Sequence, residues 1–210
     1  MKTLYCPQFS LAHYLDRDKA ILDTWGKDVD LVPYMNLEDY YHLTDNMVRF
    51  LKNISLITYD YDWYFLCCDD TYLWPKRIEG RLKDLPTDRP KCFCAIGDFR
   101  SEPGNKYQEC WGRDSHTLVK FPSGAGFGLN RNAIEKIQNY LNLYHDFGRS
   151  WYADVSVGFW LRAIGAELIG CPQFDIEGKQ KNDAGYAVNL LTHRVSYKEM
   201  YDIHHAWGGK

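Results

Sequence analysis

The chain has 210 residues, 45% of them hydrophobic, which suffices for one α/β domain with a substantial core. A net charge of −3 with no basic run argues against a nucleic-acid binder, which needs clustered Lys and Arg to displace counterions. The seven cysteines are odd in number and form no paired CxxC knuckles, against a structural zinc site, and no stretch approaches the roughly 18 apolar residues of a membrane helix.

Aromatic residues make up 16% of the chain. Core and boundary packing accounts for most of that excess, and stacking surfaces for sugar or base rings are the sharper reading. The first ten residues lack a basic-then-apolar leader, so a reduced, cytoplasmic protein is expected, with all its cysteines as thiols.

Short apolar runs alternate with amphipathic stretches, the pattern of a layered α/β sheet. Residues 3–7 predict an opening strand. Residues 11–25 have helical spacing, with Ser10 as N-cap. A second strand is expected over 28–34 and a second helix over 39–53, with Met47, Phe50, Leu51 and Ile54 on one side. Residues 62–68 form a strongly apolar strand, in which Cys67 and Cys68 read as buried small hydrophobes. Pro75 suits the first turn of a helix reaching about residue 84, and 91–97 predict another strand.

Residues 98–120 are polar and contain Pro103, Gly104 and Gly112, which predicts a long excursion. Residues 121–129 read as a glycine-rich turn into an apolar pair. Asn130 then caps a helix over 131–145, a further helix covers 153–164 until Gly165 stops it, and 167–171 form a short strand. The tail from Asp175 is polar and glycine-rich, with His193, His204 and His205. No repeat or linker-like shift in composition divides the chain, so a single domain over 1–210 is the simplest organisation.

The most informative stretch follows the third apolar run, where Asp62-Trp-Tyr-Phe-Leu-Cys-Cys-Asp-Asp-Thr-Tyr-Leu73 ends abruptly in Asp69 and Asp70. Open α/β sheets bind ligands beyond the carboxyl ends of their strands. Two carboxylates placed there repel each other and lose hydration, and a divalent cation relieves both costs. Hard oxygen ligands suit Mg²⁺ or Mn²⁺, ions that keep positions for water and substrate phosphates. Strand-end capping by Asp is the plainer alternative.

This run resembles the aspartate motif of the β1,3-glycosyltransferases of glycosyltransferase family 31, which includes the Fringe-like enzymes. Asp62, Trp63, Phe65, Asp69, Asp70, Thr71 and Tyr72 echo it, while Cys68 replaces the first acid of the usual triplet and Leu66-Cys67 replace Lys-Ala. Further stretches match in order over residues 17–200. Arg17-Asp-Lys-Ala-Ile-Leu-Asp-Thr-Trp25 is similar to the segment behind the first strand near the nucleotide. Tyr41-His-Leu-Thr-Asp-Asn46 echoes another, with Asn46 in place of a Lys. Phe121-Pro-Ser-Gly-Ala-Gly-Phe-Gly-Leu-Asn130 is similar to the glycine-rich donor segment. Trp151-Tyr-Ala-Asp-Val-Ser-Val-Gly158 resembles the segment carrying the base, with Ala153 in place of Glu, and Thr192-His-Arg-Val-Ser-Tyr-Lys-Glu-Met200 resembles the late histidine segment. In kind the chain is similar to compact stand-alone domains of large algal DNA viruses.

The resemblance implies a GT-A (nucleotide-diphospho-sugar transferase) fold, with a mixed, mainly parallel central sheet flanked by helices. It implies Mn²⁺, or Mg²⁺, held by Asp70 and His193, and the imidazole tilts the choice toward Mn²⁺. It places Cys6, Pro7, Arg17, Asp69, Ser123, Gly124, Ala125 and Gly126 around a UDP-sugar donor, and Asp154 as the base that deprotonates a glycan hydroxyl. Taken alone, Asp154 is a first-turn acid favoured by the helix dipole, and His193 a surface residue. The expected reaction is inverting transfer of a hexose or 6-deoxyhexose, with no nucleic-acid or membrane partner and with further domains of a longer chain left open. Retaining transfer on the same fold and a catalytically inactive nucleotide-sugar or glycan-binding module are the alternatives, the second favoured by Cys68 and Ala153.

Overall fold

The computed structural model describes residues 1–36, 43–57, 60–100, 118–144 and 153–208. Its centre is a six-stranded sheet of order β2-β1-β3-β6-β5-β7. The strands are β1 (Thr3–Ser10), β2 (Tyr34–Asn36), β3 (Trp63–Cys67), β5 (Lys91–Arg100), β6 (Leu118–Asn130) and β7 (Glu167–Gly170). The pairs β1–β2, β1–β3 and β5–β7 are parallel, whereas β6 runs antiparallel to both β3 and β5, so the sheet is mixed and mainly parallel. A smaller three-stranded sheet joins β4 (Tyr72–Leu73), β8 (Phe174–Asp175) and β9 (Leu191–Thr192) in the order β4-β9-β8.

Period-two alternation divides the core between the two faces of the sheet. On one face Tyr5 and Phe9 of β1, Trp63, Phe65 and Cys67 of β3, and Phe93 of β5 pack with Ile21, Ile78, Leu191 and Met200. On the other, Leu4 and Cys6, Tyr64 and Leu66, Cys92 and Cys94 pack with Met47, Leu51, Ile134, Ile137 and Trp160. The first face is covered by α1 (Lys19–Asp23), α3 (Pro75–Leu82) and α7 (Tyr197–Trp207), with the small sheet. The second is covered by α2 (Leu43–Ile57), α4 (Arg131–Leu143) and α5 (Ala153–Ala163). A short α6 (Asp183–Val188) precedes β9.

Four expectations need correction. The helix over 11–25 is broken into a 3₁₀ turn, a π-helical turn at Tyr14–Asp18, the five residues of α1 and a second 3₁₀ turn. Asp18, fully buried, turns inward there to accept the Ser10 N–H at 3.2 Å. The strand over 28–34 yields only β2 at Tyr34–Asn36. The chain does run beside β1 earlier, with Tyr5 N–H donating to the Asp30 carbonyl and Val32 N–H to the Tyr5 carbonyl, but the next rung needs an N–H from residue 7 of β1, and Pro7 has none. The glycine-rich turn over 121–129 is instead the middle of the thirteen-residue β6, and β5 continues to Arg100. The polar tail carries α7, started by a Ser196–Glu199 capping box and anchored by buried Met200 and Ile203.

The second helix is described from Leu43 onward, and Tyr41, His42, Cys110, Trp151, Tyr152 and the excursion over 101–117 lie outside the described residues. Among the described residues, no helix is long and apolar enough to cross a membrane. The six cysteines described are free thiols.

Candidate active site

Strand β3 is buried along its whole length, from Trp63 to Cys67. Its pairing with β6 ends at Cys67–Gly126, and the β5–β6 register shifts between Cys94 and Ile96. Residues 123–125 therefore lie in an irregular stretch of β6 abreast of the turn that follows β3. Two side-chain bonds fasten that turn to β6. Thr71 Oγ1 donates to the Ala125 carbonyl at 2.9 Å, and the Cys68 thiol donates to the Gly124 carbonyl at 3.0 Å. The Trp25 indole N–H holds the Thr71 carbonyl from the other side at 3.2 Å. Cys68, Asp69 and Asp70 are thus fixed at the carboxyl edge of the sheet.

A cavity of about 730 Å³ opens at that edge. Asp69, Asp70, Arg17, Ser123, Gly124, Ala125, Asp154 and His193 all line it, although they come from five separate parts of the chain.

His193 reaches the cavity just after β9. The Val195 N–H donates to the Asp70 carbonyl and the His193 N–H to the Asp175 carbonyl, each at 2.9 Å, so the backbone ties the histidine beside the aspartate. Arg194, between them, has φ +58°, and Gly178 opposite has φ +64°. A Cβ on Gly178 would meet the His193 carbonyl oxygen at 2.7 Å, so glycine is required by both space and conformation. The imidazole Nδ1 lies 2.9 Å from the Ile176 carbonyl and Nε2 lies 3.0 Å from Asp70 Oδ1. A carbonyl only accepts, so Nδ1 carries the proton and Nε2 faces Asp70. Burial alone would lower the His193 pKa, but the bond and charge of Asp70 raise it above its ordinary value. Burial likewise works to raise Asp70, yet His193 and Arg17 bring it below the ordinary carboxylate value.

Asp69 accepts from Arg17 Nη1 at 3.4 Å. Burial raises its pKa overall, with Arg17 opposing. Arg17 owes this position to the π-helical turn, a local widening often found where function needs a side chain re-aimed.

Asp154 stands in the first turn of α5, where its Oδ1 accepts the Val155 N–H at 2.8 Å. Burial raises its pKa, opposed by backbone N–H groups of Val155, Gly124 and its own residue. A Cβ on Gly124 would touch Asp154 Oδ2 at 3.4 Å, which places the carboxylate directly over the glycine of β6. Its position follows from the seating of α5: Gly158, one turn on, lies so close to Phe121 that a Cβ there would meet Phe121 Cβ at 2.4 Å.

The chain is similar to a solved glycosyltransferase involved in the glycosylation of the major capsid of PBCV-1, at 11% identity over 98% of this chain and 100% of that one, with a TM-score of 0.58. It is similar to the galactosyltransferase LgtC, solved with donor and acceptor sugar analogs, at 9% identity over 97% and 96% with a TM-score of 0.52. It is also similar to the bifunctional glycosyltransferase WbbM, at 11% identity over 96% of this chain and 49% of that one, with a TM-score of 0.54. The fold is the GT-A fold. No protein-family model matches the chain, and no curated protein matches it by sequence.

Within this GT-A fold, three residues expected near the donor are not in the cavity lining. Cys6 is fully buried with Met47, Val48 and Leu51, and burial holds its thiol well above the ordinary pKa. Pro7 is buried in the β1–β3 ladder opposite Cys67, and the Gly126 Cα stands opposite Cys67 from the other side. Their neighbours Gln8 and Ser10 line the cavity instead. The signal was available: Leu4, Cys6, Gln8 and Ser10 share one face of β1, and that face turns polar where the helical cover ends. Cys68 is the other residue misread. It is partly buried and lines the cavity, unlike the core residue Cys67. Strand parity separates them, since β3 ends at Cys67 and no longer dictates where the next side chain points.

Proposed function

We propose that the chain is a metal-dependent glycosyltransferase that moves a sugar from a UDP-sugar to a glycan hydroxyl with inversion, and that it is related to glycosyltransferase family 31. The observation that carries this reading is the meeting of Asp70, His193 and Asp154 in one cavity at the carboxyl edge of the sheet. The ordered resemblance of the flanking segments supplies the donor class.

The donor set suits a divalent cation. Asp70 offers a hard, ionised oxygen, and His193 spends its Nδ1 proton on Ile176, so Nε2 points at Asp70 and becomes a ligand once a cation displaces its proton. When bound, Mn²⁺ or Mg²⁺ offsets the charge that gathers on the departing diphosphate. Arg17 stands at the same edge as a second cation and, released from Asp69, can meet a phosphate oxygen. Because Gly124 carries no side chain, the Asp154 carboxylate can lie directly over β6 at the cavity lining. Asp154 then accepts the proton of the attacking hydroxyl. A carboxylate raised by burial is a stronger base than an exposed one, and its backbone N–H donors oppose that rise by favouring the charged form. A single base on the acceptor side corresponds to one displacement, hence inversion.

The test is UDP release from UDP-sugars in Mn²⁺ with and without an acceptor glycan. A transferase releases UDP faster with acceptor and forms a new glycoside. A chain that binds UDP-sugar but releases no UDP with any acceptor is a binding module, and the proposal fails.

A further inference from the structure

We infer that Cys68 is a third ligand of the cation held by Asp70 and His193, which gives this site a preference for a borderline-soft divalent ion, Co²⁺ or Zn²⁺, over Mn²⁺ and Mg²⁺. The inference rests on the reading of Asp70 and His193 as a metal site and adds to it the residue that sets the site's selectivity.

Three observations carry it. A ligand atom from each of Cys68, Asp70 and His193 lies within 4.8 Å of the others, and among the described residues this is the group of metal-ligating side chains brought so close together. Small side-chain rotations close that spacing to one coordination sphere, since Zn–S and Zn–N bonds are about 2.3 and 2.0–2.1 Å long. The members are independently fixed: Asp70 through its carbonyl to Val195, His193 through Nδ1 to Ile176, and Cys68 at the end of a fully buried strand. Finally, Asp69 stands apart, its carboxylate turned to Arg17. The turn therefore offers one sulfur and one oxygen rather than two acids, and His193 adds one nitrogen.

That donor set differs in kind from an all-oxygen one. Thiolate and imidazole favour Co²⁺ and Zn²⁺, while Mg²⁺ and Mn²⁺ bind best through oxygen. In the metal-free protein, burial and the carboxylates of Asp70, Asp69 and Asp154 keep the thiol protonated. A divalent cation reverses the sign of that local field, and the thiol proton passes to solvent as the metal–sulfur bond forms. The remaining positions stay open for water or phosphate oxygens, as a catalytic rather than a structural site requires.

The test is an anaerobic titration of the full chain with Co²⁺, followed by absorption. Thiolate ligation gives a near-ultraviolet charge-transfer band, and any Co²⁺ site gives visible d–d bands. The expected result is that both rise together in the wild type, that Cys68→Ser loses the charge-transfer band, and that Co²⁺ affinity falls at least tenfold, the lower end of what even an outer partner of a metal ligand contributes. Cys68→Asp, checked for folding by circular dichroism, should also lose the band and should reverse the preference toward Mn²⁺. Visible bands without charge transfer in the wild type, or a charge-transfer band that survives in Cys68→Ser, would overturn the role of Cys68 while leaving the Asp70–His193 site intact. No Co²⁺ binding by absorption or calorimetry would overturn both.

Discussion

His193 Nε2 sits 3.0 Å from Asp70 Oδ1 while its Nδ1 is held by the Ile176 carbonyl. In the metal-free protein this is an ion pair, and its pH dependence follows from the two shifts. His193 is raised from 6.5, so its contribution to stability is full below about pH 6.5 and lost as pH rises through the higher folded value. Asp70 is lowered from 3.8, so its contribution is full above about pH 4 and lost as pH falls through the lower folded value. The pair stabilises most between about pH 4 and 6.5. In chelator-treated protein, His193→Ala should lower the thermal midpoint most in that window and progressively less as pH rises above it. A uniform loss at all pH values would mean that the pair is not charged.

Asp18 makes the opposite kind of contribution. It is fully buried, only one of its oxygens is bonded, and burial pushes its carboxyl up to about 6, with the Ser10 N–H opposing and Asp69 adding to the rise. A raised acid favours the folded state while protonated, so its cost appears as pH rises from about 4 through 6. Asp18→Asn can keep the Ser10 bond without the charge. It should raise the thermal midpoint at pH 7.5 and leave it nearly unchanged at pH 4. A lower midpoint at both would show that the carboxylate is needed as such.

Replacing Asp154, the proposed base, should act on rate rather than on binding. Asp154→Asn is expected to lower kcat by about 10²-fold or more, the scale of losing a general base, with donor Kd nearly unchanged. Because burial raises Asp154, the wild-type rate should also fall on the acid side at a higher pH than an ordinary carboxylate gives. A kcat within a few-fold of wild type on folded protein would remove Asp154 from the base's role.

The seating of α5 provides a stability test of the same geometry. Gly158→Ala would drive a methyl to 2.4 Å from Phe121 Cβ and 2.8 Å from its Cα, a backbone clash that no rotamer relieves. We expect a loss of about 1–3 kcal/mol, the usual range for overpacking, and a lower kcat as Asp154 shifts with the helix. Gly80→Ala is the control. Nothing lies within 4 Å of its added Cβ, and it sits inside α3, so it should gain roughly 0.5–1 kcal/mol in denaturant unfolding.

Much of this arrangement was legible in the sequence, and the reasons are local. The apolar run from Trp63 followed by Asp69-Asp70 declared a buried strand ending at the cavity edge, because burial on both faces leaves no polar alternation and the acids cannot follow the strand inward. Asn130 declared α4 as a cap, and its side chain does accept the Ala133 N–H. The glycines of β6 misled because they read as breakers. They are there for space: Gly128 lies under Phe65 and Trp63, and a Cβ on Gly126 would strike Leu191 at 2.6 Å. Aromatic side chains arriving from a strand some 60 residues earlier are invisible to local propensity. The fracture of the 11–25 helix had the same kind of cause, an inward turn of Asp18 toward Ser10. The α7 helix, by contrast, was announced by Ser196-x-x-Glu199 ahead of Met200 and Ile203, and a search for capping boxes finds it.

We propose that the cavity binds a nucleotide-diphospho-sugar through a cation on Asp70. Isothermal calorimetry of UDP-sugars against wild type and Asp70→Ala, each with Mn²⁺ and with chelator, tests it most directly. Binding by the wild type should weaken sharply in chelator, and the Asp70→Ala variant should fold normally yet bind no better with Mn²⁺ than without. Equal affinity for the donor in the variant and the wild type in Mn²⁺ would contradict it.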